Sequence, residues 1–243
     1  MINLLKLEIY KLKHSKSFLL ISAVTIFFEI INVIKNGSIT GARAFQGSMY
    51  DIATLMLLGS IFAGIFIGTD FVDRIINQEI VAGHSRLSIL VSKAITFFFA
   101  TEIIMLIYPI TSVIVNTILS GWGEVFNGTT IIYIVRTILL RMILDASCIS
   151  LWVFVAFLFK DVAKTMGISF FIFMVGAISL VQLSTKSALI KTIYNFTAHS
   201  QARIIVNKVL TYSEVTSIII SKLIIISILL CASYFIFRRV ELK

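Results

Sequence analysis

The sequence has little of what soluble enzymes rely on: one Pro, two Cys, three His, and charged residues at only 14% of its 243 positions. Soluble domains carry roughly a quarter charged residues and under half apolar ones, whereas 58% of this chain is apolar. A soluble fold of this composition would expose apolar patches that drive aggregation. The composition therefore indicates a membrane protein.

Patterns typical of catalysis and metal binding are absent as well. Cys148 and Cys231 lie in separate apolar runs without CxxC spacing, which argues against a disulfide scaffold or a zinc site. His14, His84 and His199 are scattered, and the chain has no HExxH, GxSxG, GxGxxG or GxxxxGK[ST] motif. The excess of 21 Lys and Arg over 12 Asp and Glu is spread along the chain, which argues against a nucleic-acid-binding face.

Six apolar runs are long enough, or nearly so, to cross a bilayer, which takes about 20 residues of helix. Backbone groups in lipid must be bonded within their own segment, so the runs should be helical. The third run is too long for one straight span, and Pro109 should kink it or end one helical part. The sequence thus predicts an all-α integral membrane protein with six transmembrane helices in a single domain, 1–243. The runs are roughly Phe18 to Ile34, Ile52 to Thr69, Ile89 to Leu119, Leu139 to Phe159, Val162 to Leu183 and Val215 to Phe237.

The distribution of positive charge indicates the orientation. With the N-terminus inside, the inner segments hold 12 Lys and Arg and the outer segments hold 8, which favours cytoplasmic N- and C-termini. Half of the outer charge lies in the long connection 184–214, which is expected to be extracellular and where the rule is weaker.

The N-terminal segment 1–17 has the pattern of an interfacial helix rather than of a cleaved signal. Ile2, Leu5, Ile9 and Leu12 form an apolar stripe, and such a stripe lies in the headgroup region when the rest of the helix is basic. A solvated basic tail is the alternative.

Five ionisable side chains fall within the predicted spans. Charges inside a bilayer are costly, so they usually face a partner or a wet cavity. Arg141 and Asp145 are four residues apart and therefore share a helix face. The five side chains either line a translocation path for a polar or amphiphilic substrate, or neutralise one another inside the bundle and so fix helix packing. They are Glu29, Glu102, Arg141, Asp145 and Lys222.

Small residues recur in the second predicted span. Gly59 and Ala63, and then Gly64 and Gly68, are spaced four apart. This spacing allows helices to approach closely.

The loop 70–88 joins the second and third spans on the predicted cytoplasmic side. Ile75, Ile76 and Ile80 followed by Gly83 indicate a short amphipathic helix and a glycine turn. Such an element is a plausible docking site for a cytoplasmic partner, although an ordinary solvated loop would show the same pattern.

In three places the sequence resembles the permease subunits of ABC-2 type transporters, especially the bacitracin and lantibiotic export or immunity class with its type V exporter-like fold. The basic N-terminus resembles the elbow helix of that family. The segment around the loop 70–88 resembles its coupling helix, and the segment around Lys160 resembles its tight turn between the fourth and fifth spans. The segments are KLEIYKLKHSKSF, IFIGTDFVDRIINQEIVAGHSRLSILVSKAI and FVAFLFKDVAKTMGISFF.

The resemblance implies a transport subunit in the cell membrane, not an enzyme. It has no cofactor of its own, because ATP and Mg²⁺ would be bound by two copies of a separate ATPase subunit. The other partners would be a second permease, identical or related, and membrane lipid. Arg86 would pair with an acidic groove on the ATPase, and the isoleucines would insert as apolar anchors. The implied coupling residues are Phe71, Arg74, Ile75, Ile76, Ile80, Gly83 and Arg86.

Two other classes stay open on the sequence alone. A polytopic scaffold could recruit a cytoplasmic protein through the same loop without moving a substrate. An intramembrane enzyme is the third possibility, and the missing catalytic motifs argue against it.

Overall fold

The structure is a computed structural model that describes residues 1–51 and 53–239. In the described residues it is helical throughout, with no strand, which confirms the predicted fold class. The helices are α1 Ile2–Lys13, α2 Lys16–Asn36, α3 Gly41–Tyr50, α4 Ala53–Ala63, α5 Thr69–Val72, α6 Ile75–Val81, α7 Arg86–Ser120, α8 Gly128–Phe159, α9 Val162–Ser184, α10 Ala188–Asn195, α11 Ala198–Ile205 and α12 Tyr212–Arg238, with a π-helical turn at Gly64–Gly68 that joins α4 to α5.

Five helices of the described chain, α2, α7, α8, α9 and α12, are long and apolar enough to cross a membrane. A sixth candidate runs from Met56 to Val72 and bends by 54° into α6. The six predicted runs therefore all correspond to helical segments. The residue at 52, where the second run was expected to begin, lies outside the described residues.

Pro109 does not end a helix, which corrects one of the two expected outcomes for the third run. Helix α7 continues through Pro109 for 35 residues, or about 52 Å at 1.5 Å per residue, well beyond the roughly 30 Å of hydrocarbon. Proline is tolerated inside such helices because neighbouring helices and side chains compensate for the lost backbone bond.

Helix α8 also begins earlier than its apolar run. Asn127 accepts a hydrogen bond from the backbone N–H of Thr130 at 3.0 Å and caps the helix there. The first turns of α8, which contain Arg136 before the predicted run, thus extend the helix toward its N-terminal end.

The core lies around α8, which packs against α12, α9, α11 and α7. Trp152 and Phe157 of α8 are 1% and 0% exposed. On the outer surface of the bundle, by contrast, large apolar side chains such as Phe28, Phe99 and Phe171 are 67%, 58% and 62% exposed. Apolar side chains that face outward in this number fit a lipid environment.

The small residues of the second predicted span do allow close approach. A Cβ at Gly59 would overlap the Trp152 ring of α8. A Cβ at Gly64 would lie 2.8 Å from the carbonyl oxygen of Val162, and one at Gly68 would lie 3.0 Å from its Cα, at the start of α9. The glycines thus bring the α4–α5 segment against both α8 and α9.

Two predicted connections contain helices that hydropathy does not predict. Residues 41–50 form α3, whose first backbone N–H groups donate to Gly121 and Trp122 carbonyls at 2.9 and 3.1 Å. The connection 184–214 contains α10 and α11, and Ala202 and Ile205 of α11 are completely buried. The end of the bundle that carries these helices is therefore ordered structure that packs on the spans.

Candidate functional site

A buried group of charged side chains joins four helices at the end of the bundle where α1 and α6 lie. Its centre is Lys93 of α7, which is 0% exposed. The Lys93 ammonium lies 2.7 Å from Glu8 Oε1 of α1, 2.5 Å from Asp70 Oδ2 of α5 and 3.3 Å from Glu79 Oε1 of α6. With Lys11, these residues form what we name the Lys93 cluster.

Lys11 of α1 is the second cation of the cluster. Its Nζ lies 2.7 Å from Asp70 Oδ2 and 3.4 Å from Glu8 Oε1, and its side chain is 27% exposed. Three carboxylates against two ammonium groups leave a formal charge of −1. Because buried charges are stable only when paired, each ion pair between two helices of the cluster holds them in one relative position.

The sequence pattern gives little sign of this cluster. Glu8 lies 85 positions from Lys93, so their contact is purely tertiary. On α1, Leu4 and Glu8 face the bundle at 2% and 0% exposure, whereas Ile2 and Ile9 of the expected apolar stripe are 69% and 41% exposed. The one local feature of the sequence that points to Glu8 is its position four residues after Leu4, on a helix next to a membrane. The interfacial position of segment 1–17 stays a prediction.

The loop 70–88 folds as the expected short helix and glycine turn. Arg74 precedes α6 with φ +58°, and Gly83 follows it with φ +88°, so two left-handed residues reverse the chain on either side of α6. Phe71 packs edge-to-face on Phe157 of α8, with ring centroids 5.2 Å apart. Helix α6 is thereby held against the bundle.

The burial of α6 corrects part of the predicted contact surface. Ile76 is 1% exposed, so its side chain cannot insert into a partner. Ile80 packs against the core, and Ile75 is partly exposed. The assignment of 70–88 as a coupling loop stays a prediction.

The opposite face of α6 is open. It lines a shallow cavity of about 480 Å³. Val81 is 80% exposed there, and Val72 nearby is 55% exposed. Neither valine stands out in the sequence, because the direction in which each side chain points depends on the fold. The lining residues are Arg74, Asn77, Gln78, Val81 and Ala82.

Arg86 is bonded within the chain. Its Nη1 donates to the Phe237 carbonyl at 3.0 Å and to the Arg238 carbonyl, and its guanidinium lies 5.9 Å from the Phe237 ring centroid. Cations stabilise the carbonyl end of a helix. Arg86 therefore connects the start of α7 to the end of α12, and its expected pairing with an ATPase groove stays a prediction.

A second buried group lies deeper in the bundle, around Arg141. The Arg141 Nε lies 2.9 Å from both carboxylate oxygens of Asp145, one helical turn away as expected. Its Nη1 donates to the Met49 carbonyl and its Nη2 to the Asp51 carbonyl at 3.3 Å. Arg141 thus caps the last turn of α3 while it neutralises Asp145.

Glu102 of α7 adjoins this pair and interacts electrostatically with Asp145 and Arg141. It is 3% exposed, and neither carboxylate oxygen has a hydrogen-bond partner in the described chain. We name Glu102, Arg141 and Asp145 the Arg141 cluster. Because the Glu102 oxygens have no partner in the described chain, the cluster is able to accept a further cationic or hydrogen-bonding group.

The other two predicted path residues lie apart from this pair. Glu29 interacts with Tyr108, whose hydroxyl donates to Asp51 Oδ2 at 3.4 Å. Glu29 is therefore linked to Arg141 through Tyr108 and Asp51. Lys222 of α12 donates to the Phe196 carbonyl at 2.6 Å, at the end of α10. The structure thus brings three of the five residues together, and Lys222 instead contacts the connection 184–214.

The connection 184–214 covers the end of the bundle near α3. Arg203 Nε donates to the Tyr50 hydroxyl at 2.9 Å, and Tyr133 donates to the Val206 carbonyl at 2.9 Å. Burial, with Arg203 nearby, lowers the pKa of His199 below its ordinary value. Within residues 1–51 and 53–239, no group of three or more His, Cys, Asp and Glu side chains could hold a metal ion.

The long apolar helices, the exposed apolar side chains and the two buried charge clusters define a polytopic membrane protein. The family model described as "ABC-2 family transporter protein" matches residues 4–176, well over half of the chain and the whole of both clusters. The chain therefore belongs to the ABC-2 transporter family, whose members are transport subunits rather than catalysts and work in general with an ATPase. No curated protein matches the chain.

Proposed function

We propose that the chain, as a single permease domain over 1–243, is the membrane-spanning subunit of an ATP-driven ABC exporter. It expels an amphiphilic compound, such as an antimicrobial peptide or a hydrophobic drug, as in the bacitracin and lantibiotic class. ATP is hydrolysed by two copies of a separate ATPase, and a second permease, identical or related, completes the pore. Both termini and α6 lie on the cytoplasmic side.

The observation that carries the proposal is the position of α6. One face of α6 is buried in the bundle, and its Glu79 is bonded to Lys93, while the other face is open around Val81. A partner can shift a two-state protein only through contacts that differ between its states. A displacement of α6 by an ATPase would act directly on α1 and α7, because both share ion pairs with α6 or with its neighbour Asp70.

Val81→Asp tests the open face as the docking surface. Val81 is 80% exposed, so a carboxylate there leaves the fold intact but places a charge where an apolar contact is expected. Loss of a central apolar anchor typically costs an interface about 2 kcal/mol, or roughly thirtyfold in affinity. We expect the ATPase to be lost when the complex is purified in mild detergent, with unchanged permease yield.

Val209→Asp is the matched control, because Val209 is equally exposed, at 85%, but lies in the connection 184–214. It should retain the ATPase. Equal ATPase yields from both variants would contradict the docking assignment.

Glu102→Gln tests the Arg141 cluster as part of the translocation path. The amide keeps the shape of Glu102 but removes its carboxyl group beside Asp145. If Glu102 binds the substrate, transport per protein should fall about fivefold or more, which corresponds to a loss of about 1 kcal/mol, while abundance stays unchanged. Glu124→Gln, at a side chain that is 45% exposed, is the control. A parallel loss of transport and abundance would assign Glu102 to packing instead.

A membrane scaffold is the second candidate, favoured by the fact that the open face of α6 could recruit a cytoplasmic protein without substrate movement. An experiment with purified vesicles that contain the permease and its ATPase distinguishes the two functions. Export requires ATP-dependent substrate movement, whereas a scaffold would bind its partner and move nothing.

A further inference from the structure

An apolar groove runs between α7 and α12 on the outside of the bundle. It consists of two adjoining cavities of about 320 and 210 Å³, which share Ala94, Ile95 and Leu230. Its floor deeper in the membrane is α8, around Ile149 and Val153. We name this feature the α7–α12 groove.

The groove has the depth of one lipid leaflet. Its α7 lining repeats every three or four residues from Leu87 to Phe99, so it is one continuous helix face. Twelve residues of helix span about 18 Å, and half of the hydrocarbon core is about 15 Å. A groove of this length accommodates an extended acyl chain from the lipid surface to the bilayer centre.

Positive charge lies at the mouth of the groove. Tyr234 and Phe235 line its end on α12, and Arg238 and Arg239 follow one turn later, both exposed. Arg86 lies beside them through its bond to the Phe237 carbonyl. Exposed basic residues next to a transmembrane helix attract anionic lipid headgroups.

An anionic phospholipid combines an apolar chain with a negative headgroup. The groove offers the matching combination of an apolar lining and exposed arginines at one end. We propose that the α7–α12 groove binds one acyl chain of an anionic phospholipid whose phosphate lies against Arg238 and Arg239, in the leaflet at the α6 end. This proposal is independent of the transport function.

The experiment measures lipid retained by the full-length protein after extraction in mild detergent. Native mass spectrometry is carried out with added dioleoyl phosphatidylglycerol or dioleoyl phosphatidylcholine. Leu230→Trp fills the groove, and Ile228→Trp is its control, because Ile228 lies on the same helix, is 61% exposed and does not line the groove. A double variant, Arg238→Gln with Arg239→Gln, removes the positive charges at the mouth of the groove. Its control, Lys186→Gln with Lys191→Gln, changes two exposed lysines elsewhere.

The wild-type chain and both controls should retain phosphatidylglycerol at least fivefold more than phosphatidylcholine. Leu230→Trp should lower the retention of both lipids by a similar factor, and the double arginine variant should lose only the preference. The arginine variant changes exposed side chains, so it tests the proposal even if Leu230→Trp does not fold.

Three results would overturn the proposal. The first is equal lipid retention by Leu230→Trp and Ile228→Trp. The second is an unchanged lipid preference in the double arginine variant. The third is rapid disulfide linkage of two copies through Cys231 when an oxidant is added to intact membranes. Cys231 is exposed and lines the groove, so its cross-linking would show that a second copy covers this face.

Discussion

Lys93→Met should destabilise the folded protein by about 3–5 kcal/mol, the usual effect of removing one partner from a buried ion pair. The methionine fills a similar volume, but Glu8, Asp70 and Glu79 then lose the ammonium group that all three contact. Three carboxylates would face one another with only Lys11 left to compensate them. Thermal unfolding of the detergent-solubilised protein, followed by size-exclusion fluorescence, measures the change.

A second substitution separates electrostatics from packing. Asp70→Asn in the Lys93→Met background removes one of the unpaired charges, so it should restore part of the lost stability. Lys11→Gln is the matched single change, and because Lys11 is 27% exposed, water can replace its charge and the loss should be much smaller. If Lys93→Met unfolds at the wild-type temperature, the Lys93 cluster is not what holds α1, α5 and α6 to α7.

Gly59→Ala should also lower stability, although alanine favours helix over glycine by up to about 1 kcal/mol. The added methyl group would overlap the Trp152 ring, and even the third-nearest ring atom, Cζ2, would lie only 3.0 Å away. Trp152 is 1% exposed and has no room to move. Overpacking typically costs 1–3 kcal/mol, so the net change should be a loss of roughly 1–2 kcal/mol, measured by the same unfolding assay.

Gly176→Ala is the control, because it lies in another long apolar helix and its new methyl group would meet nothing within 4 Å. Its stability should stay the same or rise. Trp152→Phe in the Gly59→Ala background shortens the ring and should recover part of the loss. If Gly59→Ala and Gly176→Ala behave alike, the contact between α4 and α8 is looser than the structure indicates.

Hydropathy predicts the spans well because burial in lipid depends on the local composition of each segment. It therefore identifies α2, α9 and α12 to within a few residues. It misses α3, whose ten residues, GARAFQGSMY, are too short and too polar to register. The sequence also leaves open whether Pro109 kinks the third run or ends one helical part, and the structure shows that α7 continues through it.

The candidate sites were predictable only in part, because the sequence predicts contacts that depend on local spacing and not those between distant segments. The i, i+4 spacing of Arg141 and Asp145 is local, so the sequence predicts their contact. The Lys93 cluster combines residues from four helices, and no local pattern specifies which carboxylate reaches Lys93. Similarly, a helical pattern predicts α6, but only the packed structure shows that Ile76 faces inward and Val81 outward.

The sequence separation within the Lys93 cluster has a consequence for biosynthesis. The ribosome makes Glu8 85 residues before Lys93, so its carboxylate has no ammonium partner from α7 while the first two spans are inserted. Until Lys93 has been made, the Glu8 carboxylate is more stable in contact with water. The ion pair that holds α1 against α7 therefore forms only after the start of the third span has been made.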